Sequence, residues 1–376
     1  MALWVSGYKA GVIEANGYKV LVTRDTKIIE PVAGKWATIR KLVKKLFGEQ
    51  EISVLANLQR DYRALREGVH VQGQANALIG IANCGKTLFI NNVVIPVLGG
   101  TVADVYDYMT GRTAFNGDWA SAVVLRVDDE VAHADMESRR SFGARIKKIV
   151  SNPQQHIHSK GLTAANLAPF WRLWLALNDE PESLRMLPPM TDNLPDKINL
   201  FYCHPDSVPL TNTASERLSL ASTLKAELPA FCDWLAKWRP PERILGGRFL
   251  VHTFHNAYIT RKLAALSPET ALLNLIDIYW FADKFNSDDG YSTTKPWIDT
   301  LEGIEVFLRK SDSRQFERIC NYNGACGTYL NRLTKSLPER VNYKRTNSER
   351  NWIIHPPKEV KDYEFMSTGD GGGRDQ

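Results

Sequence analysis

Gly80-Ile81-Ala82-Asn83-Cys84-Gly85-Lys86-Thr87 constrains this chain more than any other stretch. It fits the spacing G-x4-G-K-[ST], in which each fixed position has a chemical reason. Backbone N–H groups of a tight glycine-containing loop converge on phosphate oxygens, at the positive end of the helix that follows. The lysine reaches the β- and γ-phosphates, and the hydroxyl after it coordinates Mg²⁺. With glycine at about 7% of residues, the pattern arises by chance in roughly one chain in a hundred of this length. The flanks narrow that further, because an apolar run (ALIGIA) precedes the loop and a helix-like run (TLFINNVVIPVL) follows it. A Gly-rich turn with an exposed lysine is the bland alternative, and it requires neither flank. The expected ligand is ATP with Mg²⁺, contacted by Gly80, Ala82, Asn83, Cys84, Gly85, Lys86, Thr87 and Leu88.

A phosphate loop requires a second strand that ends in carboxylates. The run Ala122–Val127 followed by Asp128-Asp129-Glu130 supplies one, 42 residues after Lys86. Three consecutive acids at a strand end are costly unless they are solvated or metal-bound. Asp128 is expected to hold Mg²⁺ through water alongside Thr87, and Asp129 to orient or deprotonate the attacking water. Glu130 takes that role if the strand runs one residue longer, because register is open at this stage. Arg126 interrupts the apolar run with no reason visible in the sequence. A third strand, Leu173–Leu177, ends in Asn178, whose amide could hydrogen-bond both γ-phosphate and water. Unaided, an Asn in that place is more often a turn residue.

The remaining patterning sets the architecture. Apolar runs at 77–82, 122–127, 173–177 and 198–203 alternate with helical segments at 87–98 and 136–150, which indicates a mostly parallel sheet with covered faces. Residues 2–30 read as short strands around the turn signal Asn16-Gly17, with YKVLVTRDTKIIE alternating apolar and polar. Helices are expected at 36–47 and 52–66, the second ended by Gly68. Three parts follow: a small cap or collar over 1–70, the α/β nucleotide-binding part over 71–225, and a helical, winged-helix-like part over 226–376 with a flexible GDGGGR tail.

Forty-seven Lys and Arg against forty-two Asp and Glu leave +5, and the first 70 residues hold twelve cations against seven acids. That balance permits an anionic partner without demanding one. Residues 309–350 are also basic, ten against four. No window reaches the 18 or so apolar residues of a membrane span, and the start has no secretory pattern. The cysteines at 84, 203, 232, 320 and 326 form no CxxC pair and are expected as reduced thiols in a cytoplasmic compartment.

Taken in order, the P-loop, acidic strand, basic hairpin and strand-plus-Asn resemble superfamily 3 helicases, the AAA+-related ring motors of small viruses. The likeness is closer to the C-terminal helicase region of phage, plasmid and poxvirus-type primase-helicases. It is carried by NCGKTLFINNVVIPVLGG, YDYMTGRTAFN, VLRVDDEVAHADMESRRSFGARIKKI, QQHIHSKG, PFWRLWLALNDEPESLRMLPPM, DKINLF and ELPAFCDWL, over about 70–235. The resemblance implies a homo-oligomeric ring, a hexamer, with ATP between subunits. It implies a hairpin that grips single-stranded or forked DNA, here HIHSKG with His156, His158 and Lys160. Residue by residue, one lysine and two imidazoles near a glycine could contact phosphates, although a plain solvated hairpin reads the same way. A zinc site at His156 and His158 lacks further ligands at suitable spacing.

The chain departs from the family at the trans-acting cation. Relatives place an arginine pair downstream of the strand-end Asn, whereas this chain reads Pro195-Asp196-Lys197-Ile198. Lys197, Arg185 or an arginine of ESRRSFGAR would take the role, and an ammonium does not clamp phosphate bidentately as a guanidinium does. No primase-like module precedes residue 70, so a separate primase or replication partner is expected. The implied function is an ATP-dependent DNA helicase or translocase of a phage, virus or mobile element. A ring ATPase that remodels protein or DNA without unwinding shares the same phosphate site. A small-molecule kinase would have no use for the hairpin. In an initiation factor, ATP would only gate assembly.

Overall fold

A computed structural model of the chain describes residues 2–15, 17–128, 136–158, 165–188, 190, 194–205, 213–282, 295–345 and 350–357. They fall into two units, Met1–Leu263 and Ala264–Gln376. The expected GDGGGR tail lies outside the described residues.

The first unit is organised by a five-stranded, wholly parallel sheet. In chain order its strands are β4 (Ala75–Gly80), β5 (Val102–Asp104), β6 (Val124–Val127), β9 (Arg172–Asn178) and β10 (Ile198–Tyr202). Their spatial order is β10-β4-β9-β6-β5. β4 is buried along its whole length, as parallel strands covered on both faces must be. Leu78, Val124, Trp174, Ala176 and Phe201 of these strands share one hydrophobic core with four helices.

Those helices are α1 (Ala37–Phe47), α2 (Glu51–Glu67), α3 (86–97) and α7 (Ala214–Lys237). α1 forms because Ile39, Leu42, Val43 and Leu46 recur at three and four residues and can bury together. Its first N–H groups, at Thr38 and Ile39, donate to the Glu227 carboxylate of α7 at 2.9 Å, so a carboxylate caps the positive helix end. α2 stops at Gly68, whose φ of +69° is open to glycine at little strain. α3 passes through a π-helical turn at Ile90–Val94. The segments on either side of residues 70 and 225 therefore contribute to a single core.

A smaller sheet precedes this core, with β1 (Ala2–Leu3) parallel to β3 (Tyr18–Val22) and β3 antiparallel to β2 (Gly11–Ala15). The alternating pattern through residue 30 suggested a longer strand than β3. After Val22 the chain leaves the sheet, because Ile28 and Ile29 pack against the helical core instead. Further along, α4 (Tyr106–Thr110) follows β5 and α5 (Met136–Ser151) packs against β9. Between α5 and β9 lies an antiparallel ribbon of β7 (Gln155–Ile157) and β8 (Ala165–Leu167). α6 (Pro181–Leu184) follows β9, and α8 (Ala257–Ala265) begins just before the unit's last residue, Leu263.

The second unit runs α9 (Pro268–Ile276), β11 (Trp297–Thr300), α10 (Leu301–Ile319), α11 (Ala325–Ser336), β12 (Val341–Arg345) and β13 (Arg350–Ile354). Its three strands form an antiparallel sheet, ordered β11-β13-β12. Trp297, Trp352, Phe316 and Tyr329 close its own core. The five cysteines are free thiols. Among the described residues no helix is long and apolar enough to cross a membrane.

Candidate nucleotide-binding site

Parallel register delivers the site. β4, β9 and β6 are neighbours and end at one edge of the sheet, with Gly80 opposite Asn178 and Val127 beside Leu175. In an open α/β sheet this carboxyl edge is where ligands bind. The loop after β4 turns through Asn83 at φ +61° and Gly85 at φ +108°. Gly80 is required by space, since a Cβ there would overlap the carbonyl oxygen of Cys203 just beyond β10.

Lys86 is the first residue of α3, and its ammonium folds back into the loop. Nζ donates to the Gly80 carbonyl at 2.9 Å, the Ile81 carbonyl at 2.8 Å and Asn178 Oδ1 at 3.0 Å. The residue is only 6% exposed, and among the described residues it has no carboxylate within ion-pair reach. Nζ also lies 3.9 Å from the Cys84 Sγ, and a cation this deep with no carboxylate partner is stabilised by an arriving anion. The loop residues thus fit a polyphosphate. Thr87 Oγ1 donates to Asp128 Oδ1 at 3.0 Å, pairing the hydroxyl and carboxylate that the sequence assigned to Mg²⁺. Both are hard oxygen donors, the kind Mg²⁺ takes together with phosphate oxygens.

Arg126 acquires a reason here. Its guanidinium donates to Asn91 Oδ1 of α3 at 2.9 Å and lies 3.9 Å from Asp128 Oδ2, linking helix, strand and carboxylate. Asp129, Glu130 and Lys160 lie outside the described residues.

Cys84 sits in the loop, buried, as an acidified thiol. A hydrogen bond from the Cys203 thiol lowers it to about 6, with burial opposing and the Lys86 ammonium assisting. Burial, with Cys84 beside it, pushes the Cys203 thiol well up. A thiolate needs such a donor and cation to persist.

Sequence reasoning missed a cluster directly after Asn178. Lys262 Nζ of α8 donates to both the carbonyl and Oδ2 of Asp179 at 2.9 Å, and the Tyr258 hydroxyl donates to Oδ2 at 3.2 Å. It fixes the backbone at the residue that follows the Asn178 amide. Lys262 is 83 residues from Asp179 in sequence, so no local spacing could have shown it.

The other expected residues are not brought to Lys86. Arg185 is exposed just after α6. Lys197 lies in a short 3₁₀ turn with its ammonium 2.6 Å from Asp196. In ESRRSFGAR, Arg139 donates to the Leu187 carbonyl, and Arg145 donates to the Thr113 carbonyl and covers the Tyr108 ring at 4.1 Å. His156 Nδ1 lies 2.8 Å from Asn166 Oδ1 across the ribbon, and the His158 ring is 4.9 Å from that of Phe115. Asn116 ties the ribbon down, donating to the His156 carbonyl and accepting from the His158 N–H.

Among known proteins, residues 78–192 match a family of unknown function, DUF5906, and no curated protein matches. The apo structure of the NrS-1 C-terminal region (305–718) is similar at 12% identity, with 95% of this chain and 85% of that chain covered and a TM-score of 0.56. An A-form apo structure of the same region gives 11% identity, the same coverage and a TM-score of 0.54. An active helicase, SCCmec type IV Cch, matches at 10% identity over 90% of this chain and 60% of that one, with a TM-score of 0.34. At such identities the NrS-1 likeness speaks to the fold alone. That fold is a mixed α/β chain around a five-stranded parallel sheet, consistent with a P-loop-like core.

Proposed function

We propose that the chain is an ATP-hydrolysing motor acting on DNA, a superfamily 3-type helicase or translocase used in replication by a phage, virus or mobile element. One observation carries this reading: Lys86, Asn178, Thr87 and Asp128 converge at the ends of three adjacent parallel strands. Lys86 would neutralise the phosphates, and Thr87 and Asp128 would hold Mg²⁺, which supplies charge stabilisation when bound. Asp129, or Glu130, would orient the attacking water. Asn178, positioned through Asp179 and Lys262, would hydrogen-bond γ-phosphate.

The remaining parts take supporting roles in the same reading. A ring, hexameric as in the family it resembles, would put ATP between subunits, with Arg185 as the trans-acting cation. The exposed guanidinium after α6 suits that role better than Lys197, whose ammonium is spent on Asp196. The β7–β8 ribbon would carry His156, His158 and Lys160 onto one DNA strand. In the second unit the order helix, strand, two helices, two strands is that of a winged helix, a second DNA contact. Work in the cytoplasm with a separate primase completes the proposal.

The test is ATP turnover by purified protein with and without single-stranded DNA, together with mass photometry and a strand-displacement assay. DNA-stimulated turnover in a ring-sized particle that separates strands is the expected result. Turnover without displacement supports the remodelling ATPase. Asp129→Asn is expected to bind nucleotide and lose turnover. Function preserved in that variant would instead mark an initiation factor gated by ATP.

A further inference from the structure

We infer that the tryptophan-lined pocket between α1 and the end of α7 binds a base of single-stranded nucleic acid, at a site separate from the β7–β8 ribbon. The inference rests on the DNA-motor reading for the choice of a strand over other planar anions.

Three tryptophans form a ladder there. Trp36 precedes α1, its ring 4.6 Å from that of Trp234. Trp234 stacks on Trp238 at 5.1 Å and 20°, and on Phe231 beneath it at 6.0 Å and 15°. Phe231 is fully buried, but the three indoles are only half-buried. All three pack against the helical core with part of each indole left open. Here they line an open pocket of about 350 Å³, within the range that holds small planar ligands.

Charge selects the ligand. Arg40 and Arg239 line the same pocket, and both are exposed. Among the described residues neither is in an ion pair. α1 buries Ile39, Leu42, Val43, Leu46 and Phe47 and turns Arg40, Lys41, Lys44 and Lys45 outward. Residues 31–48 contain five Lys and Arg and no Asp or Glu. Aromatic platforms beside a basic track are what a single strand requires, with bases on the rings and phosphates on the cations. Glu51 also lines the pocket. A carboxylate in that wall repels a polyphosphate but accepts a hydrogen bond from a base amino group. It therefore orients the ligand with its base inward and its phosphates toward Arg40 and Arg239.

The experiment uses the full chain without nucleotide and a fluorescein-labelled mixed-sequence single strand, followed by anisotropy and tryptophan quenching, with deoxycytidine monophosphate, whose base carries an amino group, as competitor. Trp238→Ala should weaken strand binding about tenfold or more, the loss of one base stack. Trp238→Phe should restore most of it. Arg40→Ala with Arg239→Ala, two surface changes that leave the core intact, should weaken binding and flatten its salt dependence by about 1.4 in log–log slope. If the wild type binds the strand and all these folded variants bind it equally, the pocket is overturned and the DNA-motor reading stands. If the wild type binds no strand at salt low enough to favour it, both fall. If the mononucleotide quenches tryptophan and competes as well as the strand does, the occupant is a free nucleotide and the strand proposal is overturned.

Discussion

Strand β9 begins with a buried cation and ends at another, and the fold treats the two in opposite ways. At its first residue, Arg172 is enclosed with Arg60 around Asp61. Asp61 Oδ1 lies 2.6 Å from Arg172 Nε and accepts from Arg60 Nε at 2.9 Å. Arg172 Nη1 donates to the Trp171 carbonyl and Nη2 to the Val71 carbonyl. Burial lowers the Arg172 pKa while Asp61 holds it up. At the last residue, Asn178 and two backbone carbonyls hold Lys86 with no carboxylate among the described residues. A charge neutralised within the chain serves the fold. A charge with no carboxylate partner, set among neutral oxygens and the Cys84 thiol, can take its counter-charge from a ligand.

The contrast can be broken by mutation, and the largest effect is expected at the ligand end. Lys86→Ala should abolish ATP hydrolysis while leaving thermal stability near wild type. Normal turnover in that variant would remove the phosphate-site assignment. At the other end, Asp61→Ala should destabilise the protein by about 3–5 kcal/mol in a denaturant titration, because two guanidinium groups are left buried without a counter-charge. A change below about 1 kcal/mol would mean that the pair is solvated and the comparison fails.

Smaller effects sharpen the picture. Lys160→Ala should spare basal hydrolysis and weaken DNA binding, reducing the salt slope by about 0.7 for a single strand. Equal affinity at low and high salt would sink the hairpin proposal. Cys84 supplies a pH test. Its folded value of about 6 is depressed from an ordinary 9.0, so its thiolate stabilises the fold fully above pH 9.0 and loses that contribution as pH falls through about 6. Melting temperatures of wild type and Cys84→Ser should therefore converge below pH 6 and separate above it. Parallel curves would refute the acidified thiol.

Much of the sheet and of the loop that carries Lys86 is legible in the amino-acid order. The strand expected at 173–177 is Arg172–Asn178, and that at 198–203 is Ile198–Tyr202. Both are readable because continuous apolar runs bounded by polar residues can only be buried. The spacing of Lys86 and Thr87 is readable because the chemistry of that loop is local. The roles of Arg126, Asp179 and Lys262 are not, since their partners lie on other elements. Residues 23–30 alternate like a strand without forming one, because alternation cannot say whether Ile28 and Ile29 will meet a sheet or a helical layer.

The sequence by itself determined most strands of the parallel sheet, and that a glycine-containing loop with Lys86 and Thr87 opens α3, because both follow from apolar runs and short-range backbone chemistry. Tertiary structure alone decided that Gly80 faces Asn178, that Asp61 neutralises Arg172 while Lys86 keeps its charge, and that Trp36 joins a ladder built on α7. Such pairings depend on which strands lie side by side and which helix faces share a core. They are set by the burial of the whole chain, which no local spacing encodes.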